Sequence, residues 1–272
     1  MSQPFDINNI NYSQTGNGPA MIWSHGLLAC MQSEDALGIF AWHRFPKSMS
    51  LLRFDAKGHG LTTASPSKLD YLWPNLAEEL HHLQQHCFNE DKVVLGGQSM
   101  GAASSLYAAL AYPESIKGLV IMNPPVAWQL RASKQDYYRK VAKAAKLLGG
   151  KGLAKINAKH IDRMLPSWLL QAHMHSVLGM LDGLKNMKRQ TLEQLFLAAS
   201  ENDLPDREKL NSINVPCLIL AWDDDEAHPL SVAKTLAKAL PQAKLHVANN
   251  MADLDEWPHL ISSFCQTVHN FE

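Results

Sequence analysis

Residues 97–101 read Gly97-Gln98-Ser99-Met100-Gly101, a serine set between two glycines in the pattern G-x-S-x-G. A serine hydroxyl is a weak nucleophile at neutral pH until a base takes its proton, and that base needs a carboxylate to orient it. Residues suited to both tasks are present. Four adjacent carboxylates, Asp223-Asp224-Asp225-Glu226, lie just before His228, and the chain holds 13 histidines. Four carboxylates in a row cannot all be buried as charges, so most must face water. The chemistry these types point to is acyl transfer through a serine. A cation site is the other reading of the acidic cluster.

The pentapeptide is useful only in a tight turn between a strand and a helix. Lys92 to Gly97 (KVVLGG) is β-branched, apolar and bounded by glycines, which predicts a buried strand. Ala102 to Ala111 predicts a helix, ended at Tyr112-Pro113. So sharp a turn forces Ser99 into a strained backbone conformation with Oγ exposed above the sheet, and it needs glycines where side chains would clash. The helix N-terminus adds free N–H groups and a positive dipole end.

Further strands are expected over Ala20 to Trp23, Leu51 to Phe54, Gly118 to Met122, Cys217 to Ala221 and Lys244 to Ala248. Helices are expected over Leu72 to Phe88, Ser231 to Leu240 and Trp257 to Phe271. Continuous apolar strands alternating with helices imply an α/β fold, with a mostly parallel central sheet covered by helices on both faces. The alternation stops between Val126 and Lys209, where the pattern is helical throughout. Its first part, Arg131 to Arg163, carries ten Lys/Arg against Asp136 and Asp162, and reads as a solvated helix face. Its second part is a stripe: Met164, Leu165, Leu169, Leu170, Met174, Leu178, Met180, Leu181, Leu184, Met187. Helix core is the favoured reading of that stripe, and a plastic apolar lid the sharper one.

Composition narrows the function classes. With 25 Lys+Arg against 26 Asp+Glu, the net charge of −1 lacks the electrostatic footprint of a nucleic-acid binder. Hydrophobic residues at 46% are too many for a disordered chain. Cys30, Cys87, Cys217 and Cys265 have no CxxC spacing, and Cys217 lies in an apolar run, so no disulfide framework is expected. The first twenty residues have neither a basic nor an apolar leader region, and no apolar run reaches spanning length. A cytoplasmic protein is expected, with no membrane or nucleic-acid partner.

These motifs together resemble the α/β-hydrolase family over nearly the whole chain. His25-Gly26-Leu27-Leu28 resembles its HG oxyanion loop, and Asp55-Ala56-Lys57-Gly58-His59-Gly60 its D-x-R-G-H-G turn, with Lys57 for the usual Arg. Pro216 to Pro229 resembles the segment that carries the acid. The resemblance implies a core over 1–125 and 210–272 and a helical cap over 126–209. It implies an oxyanion hole from the N–H groups of Leu27 and Met100, with Gly26 and His25 in the same loop. Such donors are worth roughly 2.7–4 kcal/mol each. In the family the counterparts of His25 and His59 are usually structural.

Family order is serine, acid, histidine. The family spacing places the acid four residues before Pro229, at Asp225, with Asp224 as the fallback. The histidine should follow the last strand as Gly-His. The segment His246-Val247-Ala248-Asn249-Asn250-Met251-Ala252-Asp253 has no Gly-His, and the expected position falls near Met251 or Asp253. His228, His259 and His246 are the candidate replacements. Without a histidine base, Asp253 or a water could carry a slower proton transfer. His82 and His86, four apart on a helix, lack a third metal ligand, and His173 and His175 fit a cap surface. Neither a metal nor a cofactor is expected.

The activity this implies is a serine hydrolase acting on a small to medium, largely uncharged ester, lactone or thioester, working as a monomer or homodimer. Ser99 in the elbow disfavours the family's Asp-nucleophile dehalogenases. The alternatives are a carbon–carbon hydrolase, a cofactor-free perhydrolase, or a hydrolase-like binding protein without efficient turnover.

Overall fold

The computed structural model describes residues 5–89, 91–163 and 165–270. Met164 and Phe271, which the helical readings include, lie outside them. Seven strands form one sheet in the order β1-β3-β2-β4-β5-β6-β7. They are β1 (Tyr12–Thr15), β2 (Ala20–Ser24), β3 (Ser50–Phe54), β4 (Val93–Gln98), β5 (Ile116–Met122), β6 (Cys217–Trp222) and β7 (Ala243–Ala248). Only β1 runs antiparallel, pairing Tyr12 with Phe54 at one edge. All four of its residues are exposed, so no apolar run marks it in the sequence. The parallel strands β2, β3 and β6 are buried along their whole length, as their continuous apolar runs require.

Ten helices of the described residues accompany the sheet. They are α1 (Met31–Leu37), α2 (Trp73–Phe88), α3 (Met100–Ala111), α4 (Arg131–Ala158), α5 (Ser167–Lys185), α6 (Arg189–Glu201), α7 (Arg207–Leu210), α8 (Leu230–Ala239), α9 (Met251–Asp255) and α10 (Trp257–Asn270). Side chains alternate across each strand, so the two faces hold different cores. On one face Ile22, Leu52, Leu95 and Ile219 pack against Leu80 and Leu83 of α2, Leu106 of α3 and Leu236 of α8. On the other, Met21, Trp23, Val94 and Leu220 pack against Leu169 and Leu170 of α5 and Trp257 and Ile261 of α10. No helix among the described residues is long and apolar enough to cross a membrane.

Between β5 and β6 the described residues form helices and no strand. Helix α4 is two helices joined at Gly149, where φ is 66°. Arg189 of α6 reaches the break and donates through Nη1 to the Leu147 carbonyl at 2.9 Å, which holds α4 against α6. The stripe is largely core, because Leu169, Leu170, Leu181 and Leu184 are all buried. Met174 and Leu178 are exceptions, 40% and 44% exposed. The basic face of α4 does lie in water at Arg139, Lys140, Lys143, Lys146, Lys151 and Lys155, but Arg131 is buried.

The strand register gathers the chemistry at one edge. Ser24 at the end of β2 lies opposite Gly97, Gln98 opposite Met122, and Trp222 opposite Ala248. The loops that follow β2, β4, β5 and β6 therefore leave the sheet together at its carboxyl edge, where ligands of open α/β sheets bind.

Candidate active site

Ser99 stands alone between β4 and α3 with φ 52° and ψ −105°. A non-glycine residue in such a region costs on the order of 1–3 kcal/mol, and the surrounding turn has to enforce it. Two close approaches do so. A Cβ on Gly97 would collide with the backbone of Gly101, and a Cβ on Gly101 with the Ser24 carbonyl. Ser99 N–H donates to the Met122 carbonyl at 3.0 Å, which ties the turn to the neighbouring strand. Oγ is thereby lifted above the strand ends.

The two side chains that reach toward Ser99, Asp225 and His228, come from one loop after β6. His228 Nε2 lies 2.9 Å from Ser99 Oγ. His228 Nδ1 lies 2.8 Å from Asp225 Oδ2. A carboxylate can only accept, so Nδ1 carries the proton and Nε2 is free to take the one on Ser99. Asp225 Oδ2 also accepts from Trp222 Nε1 at 2.8 Å, and Oδ1 from the N–H groups of Ala227 and His228 at 2.8 and 3.1 Å. The carboxylate is 1% exposed. Burial by itself would raise its pKa. The His228 ring, the Trp222 indole and the Ala227 N–H outweigh burial and hold the carboxyl well below the usual carboxylate range. Asp224 is exposed and takes φ 56°, so the fallback acid instead turns the chain that lets Asp225 fold back onto His228.

The loop after β2 approaches from the other side. A Cβ on Gly26 would sit 3.7 Å from Ser99 Cβ. His25 Nδ1–H donates to the Gly26 carbonyl at 2.8 Å, and Nε2 accepts from the Ala56 N–H at 2.9 Å. Burial lowers the pKa of His25 and takes that of His59 to about 3, so both rings are neutral spacers. They pack edge to face at 5.0 Å. His25 thus shapes the loop, with both ring nitrogens engaged by the backbone. Among the described residues no group takes up the N–H of Leu27 or Met100. Leu27 and Met100 line the same recess as Ser99.

A recess opens beside Ser99. The core contributes Leu27, Met100 and Pro125 to its walls, and the helical segment contributes Arg131 and Tyr138 of α4 and Leu195 of α6. It is narrow: about 20 Å³ is open to a water-sized sphere, room for about one water.

The family model described as "Serine aminopeptidase, S33" matches residues 40–252, well over half of the chain. The chain belongs to this family of α/β hydrolases. Among curated proteins it is 25% identical over 228 residues to a proline iminopeptidase of Saccharolobus solfataricus, covering 77% of this chain and 71% of that protein. It is 29% identical over 174 residues to a 2-hydroxy-6-oxononadienedioate/2-hydroxy-6-oxononatrienedioate hydrolase of Paraburkholderia phymatum, covering 62% of this chain and 58% of that one. Among solved structures, a thermophilic esterase from Thermogutta terrifontis superposes with a TM-score of 0.82 at 19% identity, covering 96% of this chain and 94% of the other. That likeness bears on the fold.

In this hydrolase the remaining histidines lie elsewhere. His259 is exposed on α10 with Nε2 3.4 Å from Ser263 Oγ, so the helix it begins carries it away from Ser99. His246 is exposed on β7. The position where the family keeps its histidine is a helix cap. Asn250 caps α9 by accepting from the Asp253 N–H at 3.0 Å, and Asp253 Oδ2 accepts from the Asn249 N–H at 2.8 Å. Asp253 is therefore engaged in local structure. His82 and His86 are exposed, and His82 faces Glu78. None of the described stripe residues lines the recess, so a Met-rich lid does not form there. Three contributors escaped sequence reasoning: Trp222 as a donor to Asp225, and Arg131 and Tyr138 in the recess. Trp222 reads as one more apolar residue after the run Cys217 to Ala221, and Arg131 as one of ten cations, so neither carries a distinguishing signal.

Proposed function

We propose that this protein is a serine hydrolase that cleaves ester-type acyl bonds in esters, lactones or thioesters, through an acyl-enzyme on Ser99. The observation that carries the reading is the 2.9 Å approach of His228 Nε2 to Ser99 Oγ, with Asp225 behind it at 2.8 Å. Ser99 Oγ attacks the carbonyl carbon as its proton passes to His228 Nε2. The oxyanion is received by the Leu27 and Met100 N–H groups, and Asp225 stabilises the imidazolium. His228 then protonates the leaving alkoxide or thiolate, which departs. A water gives its proton to His228 as it attacks the acyl carbon, and His228 returns that proton to Ser99 Oγ as the acid is released. The helices of 126–209 act as a cap over the core of 1–125 and 210–272, closing the recess around a small molecule.

Two other readings come from the relatives. The hydrolases named for 2-hydroxy-6-oxononadienedioate favour a different scissile bond at the same serine. The proline iminopeptidase suggests a peptide substrate with a free amino end, but the recess wall holds Arg131 and no carboxylate to meet an ammonium. The test is turnover of p-nitrophenyl acetate together with labelling by a fluorophosphonate. Turnover and labelling that both vanish in Ser99→Ala are expected. Folded protein with an unreactive Ser99 would leave a binding protein in place of an enzyme.

A further inference from the structure

The recess beside Ser99 contains a buried cation that nothing in the proposed reaction uses. Arg131 is 2% exposed, unlike most of the basic run it begins. Its Nε donates to the Asn202 carbonyl at 2.7 Å, Nη1 to Val126 at 3.1 Å and Nη2 to Ala199 at 2.6 Å. The guanidinium lies 4.9 Å from the centre of the Trp73 ring and 5.3 Å from that of Tyr138. A guanidinium has five N–H donors; three carbonyls take three, and the Tyr138 hydroxyl engages a further one. Among the described residues no carboxylate lies within ion-pair distance of it. The carboxylate that acts on it from further away, Asp203, has Oδ1 taken up by the N–H groups of Trp128 and Leu204. Buried charges are normally paired, because an unpaired one forfeits its hydration. A clamp that only held carbonyls together would not need the charge. Here the charge is retained, planar and donor-rich, in the wall of the recess that holds the nucleophile.

We propose that Arg131 is the anion subsite of this enzyme, and that it receives a carboxylate on the acyl part of the substrate while the reacting carbonyl sits at Ser99. The inference rests on the reading of Ser99 as nucleophile and narrows its substrate to acyl groups with an apolar body and a carboxylate end. Leu27, Trp73, Met100 and Leu195 give the body its apolar surroundings. The carboxylate takes the remaining N–H of Arg131 and the one that Tyr138 engages, which Tyr138 gives up as it moves aside. Because the recess has room for about one water, Tyr138 and Leu195 must move aside to admit it. The largely uncharged substrate expected from the composition of 126–209 is thereby replaced by an amphiphilic anion.

The experiment compares hydrolysis of monomethyl glutarate and dimethyl glutarate, which share a skeleton and differ in one charge. The wild-type protein is expected to favour the monoester in kcat/KM by ~10-fold or more. Arg131→Gln should abolish that preference, and Arg131→Lys should keep part of it. The ratio is taken within each variant, so a loss of folded protein cancels. Calorimetry on Ser99→Ala supplies a readout without turnover: monomethyl glutarate should bind, and the double variant Ser99→Ala/Arg131→Gln should not bind it. A wild-type preference for the diester, or a ratio unchanged in Arg131→Gln, overturns the anion subsite and leaves the serine hydrolase standing. Binding that needs Arg131 without turnover of either ester overturns the hydrolase and leaves the subsite. Absence of binding to Ser99→Ala overturns the subsite.

Discussion

Asp225 accepts hydrogen bonds from both the backbone N–H and the ring Nδ1 of His228, three residues further along the same loop. The acid and the base of the proposed relay are thus one local unit, whose geometry is set by a single turn. In the family arrangement the histidine comes from a separate loop after the last strand. Here that loop is closed by the Asn250–Asp253 cap of α9, and the β6–α8 loop supplies both groups.

This arrangement predicts opposite outcomes for two histidines. His228→Ala should lower kcat/KM on p-nitrophenyl acetate at least ~100-fold, the usual range for loss of a positioned base. His259→Ala, on the exposed first turn of α10, should stay within about twofold by the same reasoning. Steady-state kinetics on both variants decide it.

Trp222 should act as a positioning residue. Trp222→Phe keeps the stack on Trp257, whose ring is parallel to within 5° at 5.9 Å, and removes one donor from Asp225 Oδ2. A fall in kcat of roughly 3–10-fold with KM little changed is expected, because a charge-assisted hydrogen bond in a buried network is lost. A core defect alone would lower the melting temperature and leave kcat per folded molecule intact.

The elbow depends on the missing side chain at residue 101. Gly101→Ala drives a Cβ into the Ser24 carbonyl, which cannot yield without moving β2. Overpacking of this kind costs about 2 kcal/mol, which lowers the melting temperature by about 4–8 °C in a chain of this size. Residual folded protein should show slowed fluorophosphonate labelling.

Stability should fall with rising pH through Glu34. Burial raises its carboxyl from 4.5 to about 7, against the opposing pull of Arg53 and the Trp23 indole. Between those two values the unfolded chain has lost the proton and the folded chain keeps it, so the folded state loses ground as pH rises. The full effect is about 3 kcal/mol, present below pH 4.5 and gone above about 7. Urea unfolding of wild type and Glu34→Gln across that range should show the stability of the wild type falling relative to the variant, because the opposing contributions of His25 and His59, whose pKa values burial lowers, are common to both.

Much of the fold was legible in the sequence. Strands β2 to β6 each carry an apolar run because both faces are covered, and Gly97 and Gly101 mark the elbow because nothing larger fits. Strand β1 was not legible, since an exposed edge places no demand on Tyr12 to Thr15. The proposed base was legible only as a choice among imidazoles: His228 differs from His246 and His259 in where its loop folds. Arg131 was hidden among neighbouring cations, because burial of one member of a charged run depends on the helix it packs beneath.

The central claim is that Ser99 is the nucleophile and His228 its base. Mass spectrometry of the fluorophosphonate adduct tests it most directly, with the modified residue located and its rate of formation measured in each variant. The adduct is expected on Ser99, forming at the wild-type rate in His259→Ala and ~100-fold or more slowly in His228→Ala. An adduct on another residue, or full-rate labelling of Ser99 without His228, would contradict the account.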